Sequence, residues 1–351
     1  MKKIKVAVGM SGGVDSSLSA VLLKEQEYEV TGVFLDCWDE PGCGVNQGRK
    51  DALKVALKLK VSFKVLNLKK DYQKKVIDWF YRELKAGRTP NPDVVCNKEI
   101  KFGLFLDWAM KNGFDYIATG HYARLLKSQK DVRLKLLKGV DKKKDQTYFL
   151  YGLTQKQLSK VMFPIGEMTK EKVRKEAKKR KLHVWDKKDS VGICFIGNKI
   201  SFDDFVKRKV KEHEGEVIDK EGKIIGSHKG VEFYTIGQRH GFKVKQKSSK
   251  MKPLYVISKD QRNNQLVVGD KKDLKRKEFT VERWHWINPN YKLQITNYKL
   301  QCRIRHKGRL INCKIDDKKV KLNQFEFGVA IGQICVVYCK EECLGGGVIK
   351  N

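Results

Sequence analysis

Two kinds of residue in this sequence could do chemistry: a run of small residues that fits a phosphate, and cysteines lying well apart from it. The run is Gly9-Met10-Ser11-Gly12-Gly13-Val14-Asp15-Ser16. Small residues let backbone N–H groups close on phosphate oxygens. A helix starting there adds its positive end. Ser11 and Ser16 can donate hydroxyl hydrogen bonds to the same anion. The lysine of a Walker A loop is missing. A plain tight turn between strand and helix would not call for so specific a series.

The first cysteine segment is Thr89 to Phe102, TPNPDVVCNKEIKF. Its prolines stiffen an extended approach to Cys96. Asp93 could share a turn with Cys96, and Lys98 and Lys101 could lower a thiol pKa or meet a phosphate. The second is DSVGICFIG, from Asp189 to Gly197, where a flexible glycine precedes Cys194 in a short apolar strand. A third segment, Gly120-His121-Tyr122-Ala123, directly follows an expected strand ending at Thr119. Taken singly, each cysteine reads more often as an inert buried residue.

The elements that must position these groups alternate early in the chain. Apolar runs at 4–9, 30–35, 61–68 and 116–119 read as strands. Stretches at 17–24, 48–60 and 72–86 have helical periodicity. Alternation of this kind predicts a parallel α/β sheet, whose ligands bind beyond the carboxyl ends of the strands. After about residue 200 the character changes to a short helix and glycine-punctuated β segments. From about 277 the recurring short strands predict a small β-barrel or sandwich. The expected division is 1–200, 201–276 and 277–351.

Lys plus Arg number 75 against 41 Asp plus Glu, a net +34 over 351 residues. Such a field favours polyanion partners, although 60 lysines against 15 arginines also fits a general lysine bias. The stretch 169–188 holds ten Lys/Arg against three Asp/Glu and reads as a basic surface helix with a thin apolar face at Val173 and Ala177, expected to face a nucleic acid. No apolar run approaches the roughly 18 residues of a membrane span. The start of the chain reads as a buried strand rather than a secretory signal, so a cytoplasmic protein is expected. Nine cysteines, an odd number with no Cys-x-x-Cys, argue against a disulfide framework and a zinc ribbon. Cys37 and Cys43 lack neighbouring histidines, and no metal site is expected.

SGGVDS resembles the PP-loop of ATP pyrophosphatases, which hold the leaving pyrophosphate during adenylation. Three further segments extend the likeness end to end: Asp145 to Leu150 (DQTYFL), Tyr234 to Arg239 (YTIGQR) and Cys343 to Gly347 (CLGGG). Together with the cysteine segments they resemble the tRNA-specific 2-thiouridylase family, the tRNA-uridine 2-sulfurtransferases. The resemblance implies an α/β parallel-sheet PP-loop (adenine nucleotide alpha hydrolase-like) domain, a small central domain and a C-terminal β-barrel. It implies ATP, with Mg²⁺ neutralising the phosphates, and sulfur delivered as a persulfide. Cys194 would carry the persulfide. Cys96 would be its partner, attacking the persulfide to release sulfide or resolving the reaction as a Cys96–Cys194 disulfide. Asp93 would act as general acid/base. ATP contacts would come from Gly9, Met10, Ser11, Gly12, Gly13, Val14, Asp15, Ser16, Leu35 and Gly120. The target uridine would meet Asn91, Pro92 and Asp93. Other tRNA contacts would be His121, Lys144, Asp145, Gln146, Arg305, His306 and Gln333. Many relatives have methionine where Leu35 stands and tyrosine where His306 stands. In bacteria this family acts on the wobble uridine, U34, of tRNAs for Lys, Glu and Gln. A cysteine desulfurase or sulfur-relay protein is the implied donor.

The competing expectations are another adenylating PP-loop enzyme, such as an amide-forming ligase on a small metabolite, and a non-catalytic basic RNA-binding protein. The first needs ATP but neither cysteine nor tRNA. SGGVDS argues against the second.

Overall fold

The computed structural model describes residues 3–38, 45–127, 133–189, 196, 200–245, 252–291 and 298–351. Cys43 and Cys194 lie outside the described residues.

Strand Lys5–Gly9 forms the middle of a five-stranded parallel sheet. The order across it is Ser62–Asn67, Glu29–Asp36, Lys5–Gly9, Tyr116–Ala118 and Val161–Met162. Val6, Ala7 and Val8 are fully buried, because helices cover both faces of a parallel sheet. Helix Val14–Glu25 buries Val14, Leu18, Val21 and Leu23. Helix Lys170–Lys179 packs on it through Val173 and Ala177, the thin apolar face read from the sequence. The two-residue strand Val161–Met162 was not anticipated, since too few residues carry its pattern.

The central sheet joins Gly215–Ile218, Ile224–His228, Lys243–Val244, Tyr255–Asp260 and Gln265–Gly269. Beyond it lies the β-barrel. The first half of the long strand Lys275–Trp286 pairs with Lys319–Phe327 and its second half with Glu342–Ile349. Ile311–Asp316, Leu300–Arg303 and Ile334–Cys339 complete the ring of six. Closure leaves no open edge along the ring. The architecture is therefore the expected one: a parallel α/β sheet, a small central β unit and a C-terminal barrel.

One connection was not legible. A hairpin of Ala123–Lys127 and Leu134–Lys138 extends the barrel sheet, with Leu137 opposite Glu342 and Leu136 opposite Cys343. Residues early in the chain thus add two strands to the sheet built from its end.

Candidate active site at the end of the parallel sheet

Strand order reverses at Lys5–Gly9, which has Glu29–Asp36 on one side and Tyr116–Ala118 on the other. A switch of this kind opens a crevice beyond the strands' carboxyl ends, and the small-residue loop lies there. Gly12 has φ +75°, and a Cβ built on it would stand 2.1 Å from the Gly48 carbonyl oxygen. Gly120, just past the neighbouring strand, would place a Cβ 2.6 Å from the backbone nitrogen of Ser16. The loop and helix start are thus packed to a closeness only glycine permits. Gly13 caps helix Val14–Glu25 with no side-chain acceptor, leaving the first-turn donors to an incoming anion. Ser11 N donates to Ser16 Oγ at 3.2 Å, and the two hydroxyls lie 3.3 Å apart. This cradle fits the phosphates of a nucleotide. Met10 is buried and its N–H donates to the Val33 carbonyl at 2.8 Å. Leu35 is half-buried near the end of its strand.

Asp15 points into a charged network instead of standing alone. Its carboxylate accepts from Tyr122 Oη at 2.7 Å and from Lys170 Nζ at 2.8 Å on both oxygens. Lys170 Nζ also lies 2.8 Å from Asp189 Oδ1. Asp189 further accepts from Lys144 Nζ at 2.5 Å and Arg174 at 2.9 Å. Burial works against the Asp189 charge, but hydrogen bonds from Lys144 and Lys170 overcome it and hold the carboxyl down at about 2. Lys187 Nζ donates to the Gly12 carbonyl at 3.0 Å and to Asp51 at 2.6 Å. Sequence reading missed Lys170, Arg174 and Lys187 as site residues. They sat inside a basic run, with no mark to separate them from its solvated members.

Asn91 caps the Cys96 helix, its Oδ1 accepting from Val94 N at 3.4 Å. The turn Pro92–Val95 runs into a π-helical stretch, Cys96–Leu104, and then helix Phe105–Lys111. π-helical turns recur at functional sites. Cys96 is half-buried at the head of that stretch. Asp93 lies one turn before it. Burial raises its carboxyl above the usual range, only partly opposed by the Lys101 charge. Farther along, the Phe102 ring stands 5.6 Å from His121, which follows Gly120. A Cβ on Gly9 would touch Phe105 at 3.4 Å. Cys96 is therefore at most about 9 Å along the helix axis from the residue that meets His121. Ile196, two residues past Cys194, is buried in an apolar cluster against which Cys96, Val95 and Leu35 pack.

The residues expected at tRNA divide into two groups. His121 is buried, with Thr119 Oγ1 2.8 Å from its Nδ1, and burial holds its pKa well below the usual value. Asp145 forms a buried pair with Arg303 at 3.1 Å and caps Thr147 at 2.8 Å. Gln146 Oε1 accepts from Tyr122 N at 3.0 Å. These three side chains brace the site from within. Arg305 is exposed and reaches Glu326 at 2.9 Å. The His306 ring lies 4.3 Å from that of Phe149, tilted by 39°. Burial, then the charges of Lys307 and Arg303, bring its pKa down to about 4. Gln333 bonds the carbonyl of Thr89. A cleft of about 180 Å³ opens at the Asp145–Arg303 pair, lined also by Lys138, Lys142 and Glu341.

Three family models match the chain. They are a tRNA methyl transferase HUP domain over residues 4–198, a tRNA methyl transferase PRC-barrel domain over 203–270, and an aminomethyltransferase beta-barrel domain over 276–349. The tRNA-specific 2-thiouridylase MnmA of Streptococcus agalactiae serotype III is 41% identical over 364 residues, covering 99% of this chain and 95% of its own. That of Bacillus velezensis is 42% identical over 361 residues, with 99% and 95% covered. The models and the relatives differ in the group their names transfer, methyl against sulfur.

Proposed function

The chain belongs to the tRNA-specific 2-thiouridylase family, and on that footing we propose that it is a tRNA-uridine 2-sulfurtransferase using ATP. A loop shaped for phosphates and a half-buried cysteine suit activation followed by sulfur transfer, whereas methyl transfer does not call for activation of the base by ATP. The observation that carries the reading is the shared apolar cluster of Cys96, Leu35 and Ile196 beside the nucleotide crevice. The substrate in this reading is U34 of the tRNAs for Lys, Glu and Gln. The proposed location is the cytoplasm. Among the described residues no helix is long and apolar enough to cross a membrane. The proposed division of the chain is 1–200, 201–276 and 277–351.

Oxygen on C2 of uracil is a poor leaving group. Its attack on the α-phosphorus of ATP forms an O–P bond, breaks the α–β anhydride and releases pyrophosphate. Loop 9–16 holds the phosphates, with Leu35 and Gly120 beside the nucleoside and Mg²⁺ arriving with the nucleotide to offset its charge. Asn91, Pro92 and Asp93 hold the base. Asp93 keeps its proton to a higher pH than an exposed carboxyl, which suits general acid/base work beside Cys96.

Sulfur then replaces AMP at C2. In one route the terminal sulfur of a Cys194 persulfide attacks C2, the C–O bond breaks and AMP leaves. The Cys96 thiolate next takes the Cys194 sulfur, and the electron pair of the broken S–S bond stays with the sulfur on C2. In the other, Cys96 first displaces sulfide, which attacks C2. Either route leaves a Cys96–Cys194 disulfide, which a thiol reductant must open before a cysteine desulfurase or sulfur-relay protein reloads Cys194.

The test is AMP release from Mg-ATP with and without an unmodified lysine tRNA transcript. Release that requires the tRNA, together with loss of thiolation but not of ATP binding in Cys96→Ser and Cys194→Ser, is the expected result. Normal thiolation by both variants would overturn the mechanism.

A further inference from the structure

The loop offers N–H groups and hydroxyls but no cation, and two lysines from far along the chain stand on it. Lys170 is 155 positions from Asp15 and grips both its carboxylate oxygens. Lys187 is 175 positions from Gly12 and donates to its carbonyl. Gly12 and Asp15 bracket the turn into helix Val14–Glu25, so both ammonium groups border the crevice where phosphates would sit. We infer that Lys170 and Lys187 are the phosphate-binding cations of the nucleotide site, supplying from outside the loop the charge that the loop lacks. The inference rests on the ATP reading above.

Simple neutralisation does not account for the arrangement. Four cations (Lys144, Lys170, Arg174 and Lys187) face three carboxylates (Asp15, Asp51 and Asp189) in this network. Counted over these ion-paired side chains that is 4 − 3 = +1, in addition to the positive end of the helix. Lys187 spends one bond on a neutral carbonyl, a weaker partner than a phosphate oxygen. Lys170 can turn because Asp189 keeps Lys144 and Arg174 as donors, and Asp15 keeps Tyr122, when Lys170 leaves them. Arg174 also fastens the carbonyls of Trp185 and Lys187, each at 2.9 Å, which holds Lys187 at the loop. Lys170 is only 12% exposed, so a phosphate there meets a partly desolvated charge, where the attraction exceeds that in water.

The experiment is calorimetric binding of Mg-ATP and of adenosine, without tRNA, to full-length Lys170→Ala, Lys170→Arg and Lys187→Ala proteins. Loss of one charge-assisted bond predicts a Mg-ATP affinity about tenfold weaker or more in each alanine variant. Adenosine affinity should stay within about twofold, and Lys170→Arg should recover most of the loss. Should Lys170→Ala not fold, amine acylation of the wild-type protein gives a second reading. Inorganic tripolyphosphate should protect Lys187 from the reagent, and adenosine should not. Undiminished Mg-ATP binding, parallel loss of ATP and adenosine, or absent protection overturns the assignment. Wild-type protein that binds no Mg-ATP overturns both this inference and the ATP reading, whereas wild-type binding with unaffected variants overturns this one alone.

Discussion

Gln333 Nε2 donates to the carbonyl of Thr89 at 3.1 Å across 244 positions of chain. Beside it, Thr89 N donates to the Ile331 carbonyl at 2.8 Å. Thr89 opens the segment that leads to Cys96, and both partners precede the barrel strand Ile334–Cys339. The barrel is thus bolted to the approach of the proposed nucleophile. The bolt gives the C-terminal part of the chain a share in catalytic geometry as well as in any contact with RNA.

The bolt and the contact can be separated kinetically. Gln333→Ala removes one hydrogen bond, worth about 1 kcal/mol. If the bolt dominates, kcat for thiolation falls about fivefold while KM for tRNA stays within about twofold. A rise in KM at constant kcat would assign Gln333 to RNA binding instead. Steady-state thiolation over a range of tRNA concentrations decides.

Gly120→Ala tests the cradle. The added Cβ would lie 2.6 Å from the Ser16 backbone nitrogen, a contact no side-chain rotation relieves. Helix Val14–Glu25 must shift at its first turn. ATP affinity by calorimetry should fall about tenfold or more, consistent with loss of at least one charge-assisted bond.

Asp93 predicts opposite effects on stability and activity. Its folded-state carboxyl is raised above the ordinary value of 3.8 because burial disfavours the charge. The folded protein therefore holds a proton that the unfolded chain gives up. Stability from this group is full below the unfolded value and is lost as pH rises through the folded one. Asp93→Asn escapes that loss. It should be more stable than the parent near pH 7, with the gain shrinking toward about pH 4, in urea titrations. Thiolation should drop about 100-fold or more. Equal stability of the two proteins across that range would contradict the assignment.

The buried pair of Asp145 and Arg303 should matter for the fold before it matters for RNA. Their side chains are 2% and 10% exposed. Asp145→Asn keeps a cap for Thr147 but strands the Arg303 charge, a loss of about 3–5 kcal/mol. The urea midpoint should fall with little change in slope. Adding Arg303→Met should restore much of it.

What the sequence made legible follows from range. SGGVDS could be read because its demands are local: Gly12 needs its left-handed turn and its closeness to Gly48 whatever else the chain does. The alternating elements of the parallel sheet and the short barrel strands were legible for the same reason. Lys170 and Lys187 were not, because a lysine that reaches a loop across so many positions looks like any other in a basic run. The hairpin Ala123–Lys127 and Leu134–Lys138 escaped notice because its leucine pairs do not alternate cleanly. The basic helix was expected to face nucleic acid. Its Lys170 and Arg174 turn toward the nucleotide loop and Asp189, while Lys172, Lys175, Lys178 and Lys179 are exposed and leave a basic face toward solvent.

The most direct measurement is nucleoside mass spectrometry of an unmodified lysine tRNA transcript after incubation with the protein, Mg-ATP and a sulfide or desulfurase source. The account predicts replacement of oxygen by sulfur on U34, absent when ATP is withheld. Folded protein that binds ATP yet yields neither thiolated uridine nor tRNA-dependent AMP would contradict it.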